Sequence, residues 1–316
     1  MRKRSNYKSG NADHSNRSDP FPGDPQFIGA LHRGLEILRC FRVTDGSLGN
    51  QELAERSGLP KATVSRLTYT LSKLGYLVYL NDEGKYRMGV PVLGLGYACL
   101  GGMKIRETAQ PHMQELADYA GDGALVSLGG RDDLSIIYVA CARSPGVISL
   151  QLNVGSRISL ARSSIGRAYL AAIKDEEREA LMERLRGHYG EQRWPKIRRS
   201  IHASIEEIRT RGFCLIEDWA PQVNAVGVPF RHSQPDPSML AFNIGGPSYV
   251  LTAERLRKDL GPRLVDMANK VASFGQSAMP IPVQAADRKQ GISRPKPRIS
   301  RPKLRSSRPE PRRRRK

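Results

Sequence analysis

The sequence predicts an α+β chain with two folded bodies set between two polar ends. Three observations carry this. Residues 27–90 read as helix, helix, turn, helix and hairpin. Residues 105–276 read as strands, helices, strands and a closing helix, the order expected of an antiparallel sheet with helices packed on it. Residues 1–26 and 277–316 are rich in Pro, Ser and charge, with too little apolar surface for a core, and are expected to be disordered. At 316 residues the chain is long enough for about two domains of roughly 100–200 residues.

In the first body, Ile28, Leu31, Leu35, Leu38 and Phe41 recur at helical spacing and predict a first helix with this face buried. Asn50 is placed to cap a short second helix, QELAERS, which Gly58 ends, with Leu53 and Ala54 facing inward. Pro60 and Lys61 open the third helix. Its apolar positions, Val64, Leu67, Leu71 and Leu74, step by three and four, so they form the buried face. Gly75 ends it. The runs YLVYL and KYRMG then flank the turn NDEG as a hairpin.

That order is a winged helix-turn-helix. Its third helix leaves Lys61, Ala62, Thr63, Ser65, Arg66, Tyr69 and Lys73 outside, a polar face with no acid in it. A helix of this width fits the DNA major groove, and its N-terminal dipole favours phosphate. Arg66 is of the type that pairs bidentately with guanine. Thr63 and Ser65 suit bases or phosphates, and Tyr69 and Lys73 suit the backbone. Lys85 and Arg87, on the wing, suit a neighbouring phosphate or the minor groove. The bland alternative is a solvated helix in a protein-binding winged helix. The body's modest balance, 9 basic residues against 6 acidic, keeps that alternative in view.

The second body opens with the helix IRETAQPHMQELADYAG. Strand-like runs follow in GALVSLGG, LSIIYVACAR and VISLQLNVG. Helices take over in ARSSIGRAYLAAI, DEEREALMERLRGHYG and PKIRRSIHASIEEIRTRG. Strands return in FCLIED, NAVGVPF and MLAFNIGG, and LTAERLRKDLGPRLVDMANKVASFG closes as an amphipathic helix. Between the bodies, GLGYACLGG is glycine-rich but follows a hairpin rather than a parallel strand. It reads as part of a linker helix over 91–104, not as a phosphate loop.

Composition narrows the function. The formal charge is +20, and residues 287–316 alone hold 14 basic residues against 2 acidic. Such an end attracts polyanions without reading their sequence. The cysteines Cys40, Cys99, Cys141 and Cys214 are far apart, as are the six histidines, so neither a disulfide framework, a metal site nor a cofactor is expected. No GxSxG, HExxH or P-loop motif is present, so an enzyme is not expected. No apolar signal core opens the chain, and the longest apolar run, near 90–103, is too short to span a bilayer. A cytoplasmic protein without membrane contact is expected.

GLPKATVSRLTYTLSKLGYLVYLNDEGKYRMGVPVLGLG resembles the DNA-binding half of the IclR family of bacterial transcriptional regulators. ARSSIGRAYLAAI, RGFCLIED, AVGVPF and LAFNIGGP resemble segments of the family's effector half, in order. The likeness covers about residues 27–276. It implies a GAF-like or PAS-like effector domain that binds a small metabolite, often a carboxylate or aromatic acid. It also implies dimers, commonly paired into tetramers, on double-stranded palindromic operator DNA.

By the same resemblance, Ser164 and Ile165 sit where a turn offers backbone amides to a ligand carboxylate. Ser163 precedes them and Gly166 follows at the helix start. Asn243 and Gly245 stand where some members have ligand-binding serines, and Ala225 where one branch has a cysteine. Ile216, before Glu217 and Asp218, replaces an acid expected one residue earlier. These departures imply a less polar pocket, with Asn243 its main fixed hydrogen-bonding side chain and Trp219 placed to wall an aromatic ligand.

The sequence thus predicts an effector-controlled, operator-specific regulator. The alternative is a non-specific nucleic-acid-binding protein driven by its basic end. Deleting 287–316 is expected to weaken binding to every DNA and to lower the slope of log K against log salt by about 0.9 for each phosphate that this end neutralises. Anisotropy titrations at several salt concentrations check this; an unchanged slope would show that the basic end does not touch DNA.

Overall fold

Three helices and a hairpin close around one small core in the first body. They are α1 (Gly29–Arg39), α2 (Asn50–Ser57), α3 (Lys61–Lys73), β1 (Leu77–Leu80) and β2 (Lys85–Met88). The computed structural model describes residues 24–146, 150–220, 222–231 and 239–274, with backbone alone at 218–220. The ends expected to be disordered lie outside these, save residues 24–26. Ile37, Leu48, Leu53, Val64 and Leu77 meet at the centre of the first core, and β1 pairs antiparallel with β2.

Three details differ from the expectation. The stripe Ile28, Leu31 and Leu35 is exposed, and α1 docks through Ile37 and Leu38 instead. Leu74, at the end of α3, is exposed as well. Periodicity finds an apolar face; it does not say what covers it. Nor is Asn50 the cap of α2. Gly49 is, and its N–H donates to the Glu52 carboxylate three residues on, at 2.9 Å. The Asn50 side chain links the two helices of the motif instead. Its Nδ2 donates to Ser65 Oγ at 3.4 Å, and its Oδ1 accepts from Thr68 Oγ1 at 3.3 Å. That pair of bonds holds α3 against α2. Arg56 ties the preceding turn down, donating to both oxygens of Asp45 and to the Cys40 carbonyl.

α4 (Val90–Gly102) follows the hairpin and buries none of its residues. The second body then runs α5 (Ile105–Ala120), β3 (Leu125–Asp132), β4 (Ser135–Arg143), β5 (Arg157–Ser159), α6 (Ser164–Ala172), α7 (Asp175–Arg211, broken at Gly190), β6 (Cys214–Ala220), β7 (Val223–Arg231) and β8 (Met239–Pro247). It closes with α8 (Ala253–Arg255), a π-helical stretch (Leu256–Leu260) and α9 (Gly261–Phe274). The six strands form one antiparallel sheet in the order β5-β4-β3-β8-β7-β6.

Both faces of the sheet are covered. Val126, Leu128, Val228 and Phe242 pack with Met113 of α5 and Leu264 of α9. Leu125, Tyr138 and Ala241 pack on the other side with Ile165 and Leu170 of α6 and Leu181 and Ile201 of α7. Alternate residues along each strand serve opposite cores, which is why the strand sequences are apolar almost throughout.

The expected strand VISLQLNVG is not formed over 150–155, and residues 147–149 lie outside the described residues. Among its described residues none joins a strand, although the Gly155 N–H donates to the Tyr138 carbonyl of β4 at 2.8 Å. The Arg143 guanidinium holds it instead, donating to the carbonyls of Leu150 at 3.3 Å and Leu152 at 2.6 Å and to Asn153 Oδ1 at 3.0 Å.

α6 lies close on the sheet at Gly227, where a Cβ would come within 2.2 Å of the Ser164 carbonyl oxygen. Gly227→Ala is therefore expected to destabilise the second body by about 1–3 kcal/mol, the usual cost of overpacking. Urea unfolding followed at both bodies checks it. An unchanged midpoint would mean that α6 does not rest on β7 there.

Candidate DNA interface and ligand cavity

α3 starts after Pro60 with no side chain capping its first amides and no acid in its first turn. Those amides and the helix dipole stand open to an anion. Lys61, Ala62, Ser65, Arg66, Tyr69 and Lys73 are exposed, Thr63 is half-buried, and Val64 and Thr68 are buried beneath them. Among the described residues, neither Lys61 nor Arg66 has an ion-pair partner, so both charges are available. Lys73 Nζ sits 5.4 Å from the centroid of the Tyr69 ring. The wing differs in degree. Lys85 Nζ lies 3.4 Å from the Glu52 carboxylate, which answers part of its charge, while Arg87 is exposed and donates to the Met88 carbonyl.

The second feature is built at the start of α6. Ser163 is the N-cap: its Oγ accepts from the Gly166 N–H at 3.1 Å and donates to the Ser159 carbonyl at 2.6 Å. The amides of Ser164 and Ile165 stand in the first turn, where a helix offers no internal acceptor. This end meets a cavity. Tyr138, Ala225, Asn243 and Gly245 wall it from the sheet, with Val223 beside them. Ser163 and Ser164 wall it from the helix, and Leu150, Leu152 and Ile158 cover it. Its volume is about 10 Å³, room for little more than one water. A larger occupant needs these walls to move apart.

Among the described residues, two buried polar atoms at this cavity have no hydrogen-bond partner: Ser164 Oγ, in a residue 1% exposed, and Asn243 Oδ1, in a residue 6% exposed. They are near neighbours, because Asn243 is directly opposite Gly227 in the sheet and Gly227 touches the Ser164 carbonyl. Asn243 Nδ2 donates to Tyr138 Oη at 3.3 Å. Burial pushes the Tyr138 hydroxyl well above its usual range, so it stays a neutral phenol. A buried acceptor left unpaired costs about 1–3 kcal/mol, which an occupant of the right chemistry recovers.

A cation lies behind the same turn. Arg167 is buried and donates to the Ala161 carbonyl at 2.9 Å, the Ser200 carbonyl at 3.2 Å and Ser204 Oγ at 3.0 Å. Burial lowers its pKa, yet a guanidinium remains charged at neutral pH. Among the described residues no carboxylate lies within ion-pair distance of it.

Of the residues expected to bind an effector, Ser163, Ser164, Ala225, Asn243 and Gly245 line the cavity; Ile165 and Gly166 do not. The Ile165 side chain is wholly buried in the core. Gly166 is small for packing, since a Cβ there would come within 2.2 Å of the Leu160 carbonyl oxygen. Trp219 belongs to β6, but its side chain lies outside the described residues. The sequence reading missed Tyr138, Leu150, Leu152, Ile158 and Val223. Strand alternation in LSIIYVACAR puts Tyr138 on the face of Ile136, so that one signal was available. No signal placed Leu150 and Leu152, whose segment reads as a strand.

Other chemistry has little support. Among the described residues no three His, Cys, Asp or Glu side chains cluster as metal ligands. Burial pushes the Cys214 thiol up to about 12, and burial also raises Cys141, so neither is an activated thiolate. Among the described residues no helix is long and apolar enough to cross a membrane.

Comparison with known proteins agrees with this geometry. Residues 97–273 match the family described as "Bacterial transcriptional regulator IclR C-terminal", and residues 30–80 match the "IclR helix-turn-helix domain". The chain is 35% identical over 260 residues to the HTH-type transcriptional regulator TsaQ1/TsaQ2 of Comamonas testosteroni, covering 80% of this chain and 90% of that one. It is similar to the crystal structure of an IclR family transcriptional regulator from Brucella abortus, at 42% identity and a TM-score of 0.75, covering 84% of this chain and 99% of that one. A more distant structure shares the fold at 18% identity and a TM-score of 0.56, covering 77% of this chain and 96% of that one: an IclR homolog from Microbacterium hydrocarbonoxydans complexed with 4-hydroxybenzoate. An N-terminal helix-turn-helix, a C-terminal domain with a curled antiparallel sheet and matches across both halves place the chain in the IclR family of transcriptional regulators.

Proposed function

We propose that this regulator binds a specific operator through α3 and the wing, and that a small organic or aromatic acid in the α6 cavity sets its operator affinity. The observation that carries the effector part is the pair of unpartnered buried atoms, Ser164 Oγ and Asn243 Oδ1, at one cavity. The helix N-terminus and the Arg167 cation behind it favour an anion. The 4-hydroxybenzoate complex of the Microbacterium relative makes aromatic acids the first probes to try.

Arg66, Lys61, Thr63 and Ser65 are the proposed readers of base edges and nearby phosphates, with Tyr69, Lys73 and Arg87 on the backbone. Lys85 contributes less, because Glu52 holds it. Self-association is part of the reading. α1 and the residue before it expose Leu31, Leu35 and Ile28, and α4 exposes Val90, Leu93 and Tyr97. Apolar faces of this kind are usually covered by a partner, and a second copy suits a palindromic operator. Occupancy of the cavity then shifts the spacing or tilt of two winged helices through α4. The coupling is about 1–3 kcal/mol, and operator binding changes acid affinity by the same factor.

Arg66→Ala is expected to cost about 1–3 kcal/mol of specific binding and to relax one operator position. Anisotropy on the intergenic DNA beside the protein's own gene, against scrambled DNA, measures both effects. Unchanged preference would remove Arg66 as a reader. Equal binding of the intact chain to both DNAs, collapsing with salt, would favour the tail-driven alternative.

A further inference from the structure

We infer that the effector carries, besides its acid group, an uncharged hydrogen-bond donor that seats on Asn243 Oδ1, so that Asn243 selects hydroxylated acids over isosteric apolar ones. The inference rests on the reading of the α6 cavity as the effector site and names the class of ligand it takes.

An asparagine amide has two donors on Nδ2 and one acceptor oxygen. In Asn243, Nδ2 is committed to Tyr138 Oη at 3.3 Å. In this orientation Oδ1 stands at the cavity, buried and without a hydrogen-bond partner among the described residues. An acceptor in this state demands a donor. A methyl or a bare ring edge in its place would leave it desolvated and unpaired, which is how polar sites reject analogues that lack one hydroxyl.

The donor is uncharged because no acidic residue lines the cavity: besides Asn243, its walls are Tyr138, Ser163, Ser164 and apolar Leu, Ile, Val, Ala and Gly residues. An ammonium would be desolvated there with no counter-charge. The acid end goes to α6, where the Ser164 and Ile165 amides and Arg167 supply positive potential. Tyr138 is the positioning residue. With its Oη removed, Nδ2 is released and the amide is free to turn its donors to the cavity.

The test is titration calorimetry on the full chain with matched acids: 4-hydroxybenzoate against 4-methylbenzoate, and 3-hydroxybutyrate against 3-methylbutyrate. Within at least one pair the hydroxylated acid is expected to bind roughly ten- to a hundred-fold tighter. Asn243→Leu is expected to close that gap to within about threefold, through weaker binding of the hydroxylated acid. Tyr138→Phe, a smaller change that guards against a folding failure in the first variant, is expected to narrow the gap and to improve 4-methoxybenzoate, which only accepts. Retained operator binding shows that each variant is folded. Equal affinities within both pairs in the intact chain, or a gap that survives both substitutions, would overturn the inference while leaving the effector site standing. If no acid binds while operator binding is intact, the effector reading itself falls, and the inference with it.

Discussion

The second body depends on one close approach, the seat of α6 on the sheet. Gly227 of β7 receives the Ser164 carbonyl, and Gly129 of β3, at the register shift in that strand, receives Ile165. A side chain at Gly227 would lift the helix, whereas one at Gly129 would first meet Ile136 of the neighbouring strand. With the helix down, Ser164 comes beside Asn243, the first-turn amides face the sheet, and Cys214 Sγ donates to the Ser164 carbonyl at 3.5 Å. Arg167 is then carried beneath the turn, where carbonyls and a serine hydroxyl satisfy it without neutralising it. The cavity is what remains between this helix end and the strands it cannot quite reach.

The two proposed sites use the same electrostatics at different scale. α3 and α6 both begin without an acid in the first turn, so neither helix dipole is answered from within. At α3 the helix end is open to solvent, as a macromolecular polyanion requires. At α6 it is enclosed by the Leu150–Leu152 segment and the sheet, as suits a small anion that must be stripped of water. Exposure decides which kind of anion each end can take.

Much of the winged helix was legible because its signals are local. Val64 and Leu67 at helical spacing, Gly58 and Gly75 as stops, and NDEG between two short strand runs each act within a few residues. The tests that Arg66 invites rest on that legibility. The misreadings in the same body came from partners distant in sequence. Nothing in the local sequence says that Asn50 will reach Thr68 in the next helix. Nothing in the periodicity of α1 says that its Ile28–Leu35 stripe will be left uncovered within one chain.

For the cavity the division is sharper. Most of the order of elements, the polar outer face of α3 and the small-residue turn before α6 could be read from the amino-acid sequence, because they are properties of neighbouring residues and their spacing. Folding in three dimensions settled that Leu150 and Leu152 line the cavity rather than join the sheet, and that Tyr138 meets Asn243 from 105 positions away. It also put the Ile165 side chain in the core and Ser164 at the cavity wall. Those outcomes turn on sheet register and on how closely a helix approaches a strand, which are set by side chains far apart along the chain.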